Sequence, residues 1–398
     1  MPRRVLLLYS PDHSGHKMAA SAIGEAFTMR YPRIHVRGMN LIKYTNPLLG
    51  AAATRTYLGL IRNNPSVWRY FYDNLAFKEK TEKLRDIVYL SSYVRLRKIM
   101  EDFQPNVVVC TQAFPCIIVD KYKSLTGKSL PLVGVVTDFF ANLYWKLPGV
   151  DLFCVAADES RTDFVRMGGA ADKVEVTGIP IRPRFALAAD GGKPPPPRDR
   201  KAVLVMGGVR GLGPMLQVAQ RLCDLRADAR VITVTGRNKR LRRKLEAIRS
   251  RYPDRLAVLT YVNNIDELML QSDVLISKAG GITTSESLAS RLPMVLLTPI
   301  PGQEMRNASL LAQRGVAVLA NGAEEAARKA AELLGDDNRL CRMRERMAEF
   351  GRPDSSFRIV DKIVSRWGES TSNTPRATCC EEPRGNADSR TAEAVGQT

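Results

Sequence analysis

The chain has 398 residues, of which 44% are apolar and 25% are charged, a composition typical of globular proteins and long enough for two or three domains. No run approaches the ~18 apolar residues of a membrane-spanning helix, and the short N-terminal apolar run ends at Pro11 and Asp12, so we expect neither membrane insertion nor secretion. The seven cysteines include no C-x-x-C pair, which favours a reduced, cytosolic protein without a structural zinc site.

The formal net charge of +19 is concentrated in two parts of the chain. Residues 1–100 hold 17 Lys/Arg and 6 Asp/Glu, a net of +11, and residues 201–300 hold 16 and 8, a net of +8. This excess predicts an anionic partner, which could be nucleic acid, an anionic membrane surface or a phosphorylated ligand. The charge alone does not choose among the three.

Short apolar runs alternate with helical patterns along most of the chain. The first half contains predicted strands at 5–9, 107–110, 132–136, 152–155 and 174–176, with a helix over 18–27 after the first strand. The second half contains predicted strands at 202–206, 231–234, 256–261, 274–276, 294–297 and 316–319. Nearly continuous apolar runs are typical of parallel strands buried on both faces, so the alternation predicts two doubly wound α/β domains. Ligands of such sheets bind beyond the carboxyl ends of the strands.

The proline-rich segment 190–200 predicts the boundary between the two domains. Its four consecutive prolines exclude a helix or a central strand. We therefore assign residues 1–189 to an N-terminal domain, 190–200 to a linker and 201–367 to a C-terminal domain. Residues 368–398 lack apolar periodicity and are predicted to form a disordered tail.

The stretch 43–100 combines helical patterning with a high density of aromatic and basic residues, among them Tyr57, Trp68, Arg69 and Phe71. One interpretation is an ordinary helical insertion with solvated charges. The other is an interfacial surface lying on an anionic bilayer, where each Lys or Arg contributes ~1 kcal/mol. In the second interpretation these four residues contact the membrane or the acceptor.

Three glycine-containing turns, at 9–16, 206–214 and 277–286, each connect a predicted strand to a helix. Backbone N–H groups at a helix N-terminus bind phosphate, and glycine allows close approach. Neither turn of the second half contains a Walker sequence or a clean dinucleotide fingerprint. The pattern therefore favours a nucleotide diphosphate as the ligand.

His13 and His16 form an H-x-x-H pair in the first turn, but no third metal ligand lies nearby in the sequence, and we expect no metal site. His16 could be a capping or buried structural histidine. Alternatively, it is a general base at the start of a helix that faces the cleft between the domains. A phosphate site on one half facing this histidine on the other is a layout suited to a transferase.

The segments 277–289 (SKAGGITTSESLA) and 299–307 (PIPGQEMRN) closely resemble the nucleotide-sugar signature of the diacylglycerol glycosyltransferases. This group of glycosyltransferase family 28 includes the monogalactosyldiacylglycerol synthases and the bacterial processive diacylglycerol glucosyltransferases. Further matching pieces follow in the same order: Gly15-His16, 137–139, 177–182, 207–214, 236–238 and Tyr261-Val262 before 266–268. The resemblance covers about residues 3–367.

The resemblance implies a GT-B fold, in which two Rossmann-like domains face a central cleft and the last helix can pack back on the N-terminal domain. It also implies inverting, metal-independent transfer of a hexose from a UDP-sugar to 1,2-diacylglycerol without a cofactor, with His16 as the base. The positions matching the donor site are Gly207, Gly208, Arg237, Val262, Lys278, Gly280, Gly281, Thr283, Glu286, Gln303, Glu304 and Asn307.

Within that set, the resemblance assigns the cradle of the diphosphate to Gly280, Gly281 and Thr283, with Gly208 closing over it. It places uracil at the backbone of Val262, the ribose at Glu286, and the sugar hydroxyls at Gln303 and Glu304. The alternatives are that Glu286 is a solvated helix residue and that Gln303-Glu304 is merely a polar turn.

This sequence departs from the family pattern at Asp12-His13-Ser14, at Asn142 and at Val209-Arg210. We expect a peripheral enzyme on the cytoplasmic face of the cell membrane, with UDP-glucose or UDP-galactose as donor. Anionic lipid is a possible activator, and the basic stretch 237–251 is either a further docking site or a solvated helix face. The alternatives are transfer to another lipid or hydroxylated acceptor, or an inactive UDP-binding relative. A nucleic-acid partner is not expected, since no nucleic-acid module is recognisable.

Overall fold

The computed structural model describes residues 4–45, 82–189, 200–225, 228–297 and 303–368. Within these ranges, twelve strands form two parallel sheets of six strands each, with helices between successive strands. Three sequence predictions fall outside the described residues: the aromatic and basic surface at Tyr57, Trp68, Arg69 and Phe71, the linker at 190–199, and the tail from residue 369.

The first sheet contains β1 (Arg4–Tyr9), β2 (His35–Asn40), β3 (Val107–Cys110), β4 (Leu132–Val135), β5 (Leu152–Val155) and β6 (Val174–Val176). Their spatial order is β2-β1-β3-β4-β5-β6, and every neighbouring pair is parallel. The helices of this part are α1 (Gly15–Arg30), α2 (Leu41–Thr45), α3 (Glu82–Phe103), α4 (Ala113–Thr126), α5 (Asp158–Arg166) and α6 (Arg184–Ala189). Strands β3, β4 and β5 are buried at every position, because helices cover both faces of the sheet.

The second sheet contains β7 (Ala202–Met206), β8 (Arg230–Val234), β9 (Leu256–Leu259), β10 (Val274–Ser277), β11 (Met294–Leu297) and β12 (Ala317–Ala320), in the order β12-β11-β10-β7-β8-β9. Its helices are α7 (Met215–Leu225), α8 (Lys239–Arg249), α9 (Ile265–Leu270), α10 (Gly281–Ala289), α11 (Gln303–Gln313), α12 (Gly322–Leu334) and α13 (Asp337–Phe350). In each sheet the strand order reverses next to the first strand of that half, which is β1 in the first sheet and β7 in the second. A doubly wound sheet forms its ligand crevice at such a reversal.

The eleven predicted strands are all present in the described residues, with ends that differ by two residues at most. The sequence patterns do not predict β2. This strand lies at the edge of its sheet, pairs only with β1, and has the sequence HVRGMN with no fully buried position. An edge strand of this kind has no continuous apolar run, which is why its sequence does not reveal it.

The last described helix, α14 (Ser355–Trp367), packs against α1 and the first sheet. Its apolar residues Phe357, Ile359, Val360, Ile363 and Val364 belong to the same core as Val5 and Leu7 of β1. On its polar side, the hydroxyl of Tyr31 donates to the Asp361 carboxylate at 2.9 Å. The chain thus returns to the first sheet after completing the second, and this crossing joins the two halves. No helix in the described part of the chain is both long and apolar enough to cross a bilayer.

Candidate functional site

The loops that follow β1, β4, β7 and β10 meet in the cleft between the two sheets. Two close approaches show how tightly they fit. A Cβ placed on Gly15 would lie 3.1 Å from Ile282 on α10, and a Cβ on Gly281 would overlap the backbone carbonyl of Thr137. The N-termini of α1 and α10 therefore face each other, as the glycine turns predict.

His16 is the second residue of α1 and is half-buried. Its Nδ1 lies 2.9 Å from the carbonyl oxygen of Thr111 and 2.9 Å from the Thr137 hydroxyl oxygen. Because a carbonyl oxygen can only accept, Nδ1 carries the proton in the neutral ring and Nε2 keeps its lone pair. This is the tautomer that a general base requires.

Burial lowers the pKa of His16 to about 4, against the opposing effect of its hydrogen bond to Thr111. The positive end of the α1 dipole also disfavours an imidazolium ring at this position. The imidazole is therefore neutral near pH 7 and ready to accept a proton. Its backbone is fixed as well, since the Thr111 hydroxyl donates to the His16 carbonyl at 2.8 Å and Ser14 caps the helix by accepting from the Lys17 N–H.

Opposite His16, the residues predicted to cradle a diphosphate surround the start of α10. Gly280 is the N-cap residue, Gly281 is the first helical residue, and Thr283 lies half-buried in the first turn. Lys278 lies between the two glycine turns: Cβ atoms placed on Gly208 and Gly280 would each be 3.7 Å from its Cε. Free helical N–H groups and one ammonium group are thus directed at the same space, which is the chemistry of a phosphate site.

The turn after β7 owes its shape to glycine. Gly208 has a φ of +67°, and a side chain on Gly207 would overlap the backbone at Leu212. The turn therefore folds back on itself beside Lys278, which accounts for the two predicted glycines at 207 and 208.

Glu286 lies in the second turn of α10 and is only 6% exposed. Burial raises the pKa of its carboxyl group to about 8. The nearby charge of Arg182 lowers this pKa, and that of Asp266 raises it. Arg182 donates to the Asn263 carbonyl at 2.8 Å, next to the half-buried Val262. Arg182 therefore lies between the residues predicted to contact uracil and ribose.

Three predicted donor-site residues lie on α11. Gln303 donates to the Phe140 carbonyl at 3.2 Å, and Glu304 forms an ion pair with Lys278. Asn307 is fully buried, and its amide is used by the protein itself. It donates to Asp138 Oδ1 at 3.0 Å and to the Ala279 carbonyl at 3.1 Å, and its oxygen accepts from the Phe139 N–H at 3.1 Å.

Arg237 is exposed and contacts the loop that follows β1. Its Nη1 donates to His13 Nε2 at 3.3 Å, while Arg210 Nε donates to the His13 carbonyl at 3.3 Å. Burial, and after it the nearby Arg237, lowers the pKa of His13. The loop at residues 12–14 and the loop at 209–210, where the sequence departs from the family pattern, are thus in direct contact.

Sequence reasoning gave no role to Thr111, Thr137, Asp138 or Arg182, although 137–139 and 177–182 were among the matching segments. Burial raises the pKa of Asp138 to about 6, with the hydrogen bond from Asn307 opposing it. The contacts of these residues join elements far apart in the chain. No local pattern could reveal them.

Comparisons with known proteins agree with this geometry. Residues 16–181 match the family model of monogalactosyldiacylglycerol (MGDG) synthase, and residues 202–352 match that of the glycosyltransferase family 28 C-terminal domain. The processive diacylglycerol beta-glucosyltransferase of Bacillus subtilis is 32% identical over 372 residues, which cover 91% of this chain and 95% of that protein. Its namesake from Bacillus pumilus is 30% identical, over 93% of this chain and 97% of that protein.

Among solved structures, MurG of Acinetobacter baumannii superposes with a TM-score of 0.59 at 16% identity, covering 92% of this chain and all of that one. With two parallel sheets facing one cleft, the protein is a glycosyltransferase of the GT-B class, as predicted. More narrowly, the chain belongs to the diacylglycerol glycosyltransferase family, which confirms the resemblance found in its sequence.

Proposed function

We propose that this glycosyltransferase moves a hexose from UDP-glucose or UDP-galactose to the free hydroxyl of 1,2-diacylglycerol. The observation that carries the proposal is the pairing of a neutral His16, with Nε2 free to accept a proton, and the glycine-lined N-terminus of α10 across the cleft. The named activity of the Bacillus relatives supports glucose as the hexose and diacylglycerol as the acceptor.

The reaction is a single displacement. His16 Nε2 takes the proton of the acceptor hydroxyl, the oxygen forms a bond to the anomeric carbon, and the bond from that carbon to the UDP oxygen breaks. Since attack comes from the side opposite the leaving group, the configuration at the anomeric carbon inverts. The imidazolium formed on His16 is stabilised at Nδ1 by the Thr111 carbonyl and the Thr137 hydroxyl oxygen.

The departing UDP gains negative charge, which the protein must stabilise. The N–H groups at the start of α10, the Thr283 hydroxyl and the Lys278 ammonium supply this stabilisation in the proposal, with Gly207 and Gly208 closing over the diphosphate. These groups support transfer without a divalent metal. Among the described residues, no group of three or more His, Cys, Asp or Glu is arranged to hold a metal ion.

The remaining donor assignments of the proposal follow the family resemblance. Val262 meets uracil, Glu286 accepts from the ribose hydroxyls, and Gln303 and Glu304 contact the sugar. Because Glu304 is paired with Lys278 in this structure, the entering sugar diphosphate exchanges that ion pair for contacts of its own. Asn307, matched to the donor site by the resemblance, is fully buried, and its bonds to Asp138 and Ala279 support these residues.

Diacylglycerol resides in a bilayer, so the enzyme must work at a membrane surface. We place it peripherally on the cytoplasmic face of the cell membrane, with Tyr57, Trp68, Arg69 and Phe71 as the proposed membrane or acceptor contacts and anionic lipid as a proposed activator. The basic charge of residues 1–100 supports this placement.

The decisive experiment incubates the full chain with diacylglycerol in anionic liposomes and, in separate reactions, radiolabelled UDP-glucose or UDP-galactose, with EDTA present. A labelled lipid is expected with one donor, and His16→Ala should retain UDP binding while losing roughly 10²-fold or more in turnover. UDP binding without product from either donor would overturn the proposal in favour of another acceptor or an inactive relative. Activity only after metal is added would refute the metal-free mechanism.

A further inference from the structure

Helix α8 carries an unusual concentration of positive charge. Its eleven residues, KRLRRKLEAIR, include six Lys/Arg and one Glu. Leu245 is buried in the core of the second sheet, and Leu241 and Ile248 pack against that core. The rest of the helix surface is exposed, and we call five of its basic residues, Lys239, Arg240, Arg243, Lys244 and Arg249, the α8 basic face.

The α8 basic face lacks acidic partners. The only acid of the helix, Glu246, is bound by Arg242, whose Nε lies 2.6 Å from the carboxylate. In the part of the chain that the structure describes, none of the five residues of the face forms an ion pair. The helix therefore presents a positive electrostatic field to solvent.

This arrangement opposes the local stability of the helix. Lys239 and Arg240 lie in the first turn, where the helix dipole disfavours cations and where α8 has no acidic residue. Lys239 with Arg243, and Arg240 with Lys244, are like charges at i,i+4. Each pair destabilises the helix by about as much as an ion pair at that spacing would stabilise it. A helix selected only for stability would place acids at these positions, so the charge points to an external anion.

The position of α8 connects it to the active site. Arg237 lies two residues before the helix and donates a hydrogen bond to His13, which lies three residues before the proposed base His16. Asn238 caps the helix by accepting from the Leu241 N–H. Beyond His13, Asp12 forms an ion pair of 3.5 Å with Lys43 of the N-terminal half. The loop at Asp12-His13 thus contacts one basic residue from each half, Lys43 and Arg237.

We propose that the α8 basic face is a docking surface for an anionic lipid bilayer, through which the donor-binding half contacts the membrane. The inference rests on the proposed function, since a diacylglycerol acceptor requires the cleft to lie at a bilayer.

The protein contains a matched control for this proposal. Helix α8 packs on α7, α7 on α12, and α12 on α13, so two helices separate α13 from α8. Arg339, Arg342 and Arg346 of α13 are also exposed, form no ion pair within the described residues, and line a shallow groove of about 300 Å³. Neutralising three residues on either helix changes the net charge equally.

The experiment compares the full-length triple variants Arg240→Gln/Arg243→Gln/Lys244→Gln and Arg339→Gln/Arg342→Gln/Arg346→Gln with wild type. Binding to phosphatidylcholine vesicles with and without phosphatidylglycerol is measured by co-sedimentation. The α8 variant should lose roughly 10-fold or more in partitioning to the anionic vesicles, while the α13 variant stays near wild type. Unchanged UDP binding, and unfolding at a temperature no lower than that of wild type, exclude misfolding as the cause in both variants.

Equal losses in the two variants would overturn the proposal, because net charge rather than the α8 basic face would then govern binding. Undiminished vesicle binding by the α8 variant would overturn it as well, and a loss confined to DNA or RNA binding would assign the face to nucleic acid.

Transfer to diacylglycerol in nonionic micelles should be normal in both variants. Absence of that transfer in the wild type would refute the proposed function, whereas the vesicle measurement tests the docking surface independently.

Discussion

The amide of Asn307 donates a 3.0 Å hydrogen bond to the buried carboxylate of Asp138, and this contact joins the two halves of the protein inside the cleft. Asn307 lies on α11 with the proposed sugar contacts, and Asp138 follows Thr137, which touches the proposed base. The same amide binds the Ala279 carbonyl at the entrance to the diphosphate site. One buried side chain therefore connects the sugar, diphosphate and base positions.

Asn307→Ala should destabilise the protein and slow transfer. The substitution leaves the Asp138 carboxylate, the Ala279 carbonyl and the Phe139 N–H buried without this partner, at a cost of about 1–3 kcal/mol for each group left unsatisfied. Urea unfolding measures the loss of stability. Arg306→Ala, which removes an exposed ion pair with Asp163 from the same helix, is the control and should change stability by less than about 1 kcal/mol. An Asn307→Ala variant as stable as that control would contradict the buried network.

Thr137 should influence the base without contacting substrate. Thr137→Val removes the hydroxyl oxygen beside His16 Nδ1 and with it part of the stabilisation of the imidazolium, so turnover should fall about 10-fold for a loss of roughly 1.4 kcal/mol. Because the protonated ring is disfavoured further, the acid limb of the pH–rate profile should move to lower pH. Thr137→Ser keeps the hydroxyl and should restore both. A purely structural role would leave the acid limb in place.

The sequence predicts the elements of this fold far better than it predicts the contacts within the site. Apolar runs reveal the buried strands, and the turns at 277–286 and 206–214 carry their glycines in the sequence itself. The resemblance predicts Asn307 as a donor-site residue, but it does not reveal the bonds of its amide to Asp138 and Ala279. The contact between His13 and Arg237 spans 224 residues, so it depends on how the two sheets meet and not on any local pattern.

Donor binding should depend on pH through Glu286. Its pKa is raised by burial to about 8 in the free protein, and ribose hydroxyls donating to it favour the ionised form. Below pH 8 the carboxyl must release a proton when UDP binds, so affinity should rise with pH up to about 8 and then level off. Calorimetric titration of UDP across this range tests the expectation. Glu286→Gln should bind UDP more weakly and without this pH dependence.

The Glu286 carboxyl should make the folded protein less stable as the pH rises, whereas it makes donor binding tighter. Since its folded-state pKa of about 8 lies above the ordinary value of 4.5, the unfolded chain binds fewer protons than the folded protein between those limits. This group's contribution therefore lowers stability as pH rises from about 4.5 to 8. Glu286→Gln should accordingly unfold at a higher temperature than wild type at pH 8, and the difference should shrink towards pH 5. A variant less stable at pH 8 would indicate that the buried carboxylate is stabilised by contacts stronger than its burial cost.

Substitutions at the adjacent glycines Gly280 and Gly281 should distinguish an effect on donor binding from an effect on folding. A methyl group at position 281 overlaps the Thr137 carbonyl, so Gly281→Ala must push the halves apart and should both lower the melting temperature and abolish donor binding. Gly280 has an ordinary φ of −77°, and a Cβ there meets only Lys278 at 3.6 Å. Gly280→Ala should therefore keep its melting temperature while the methyl group, projecting towards the diphosphate site, weakens UDP binding. Thermal unfolding and UDP titration of the two variants test this contrast, and normal UDP affinity in folded Gly280→Ala would remove the N-terminus of α10 from the diphosphate site.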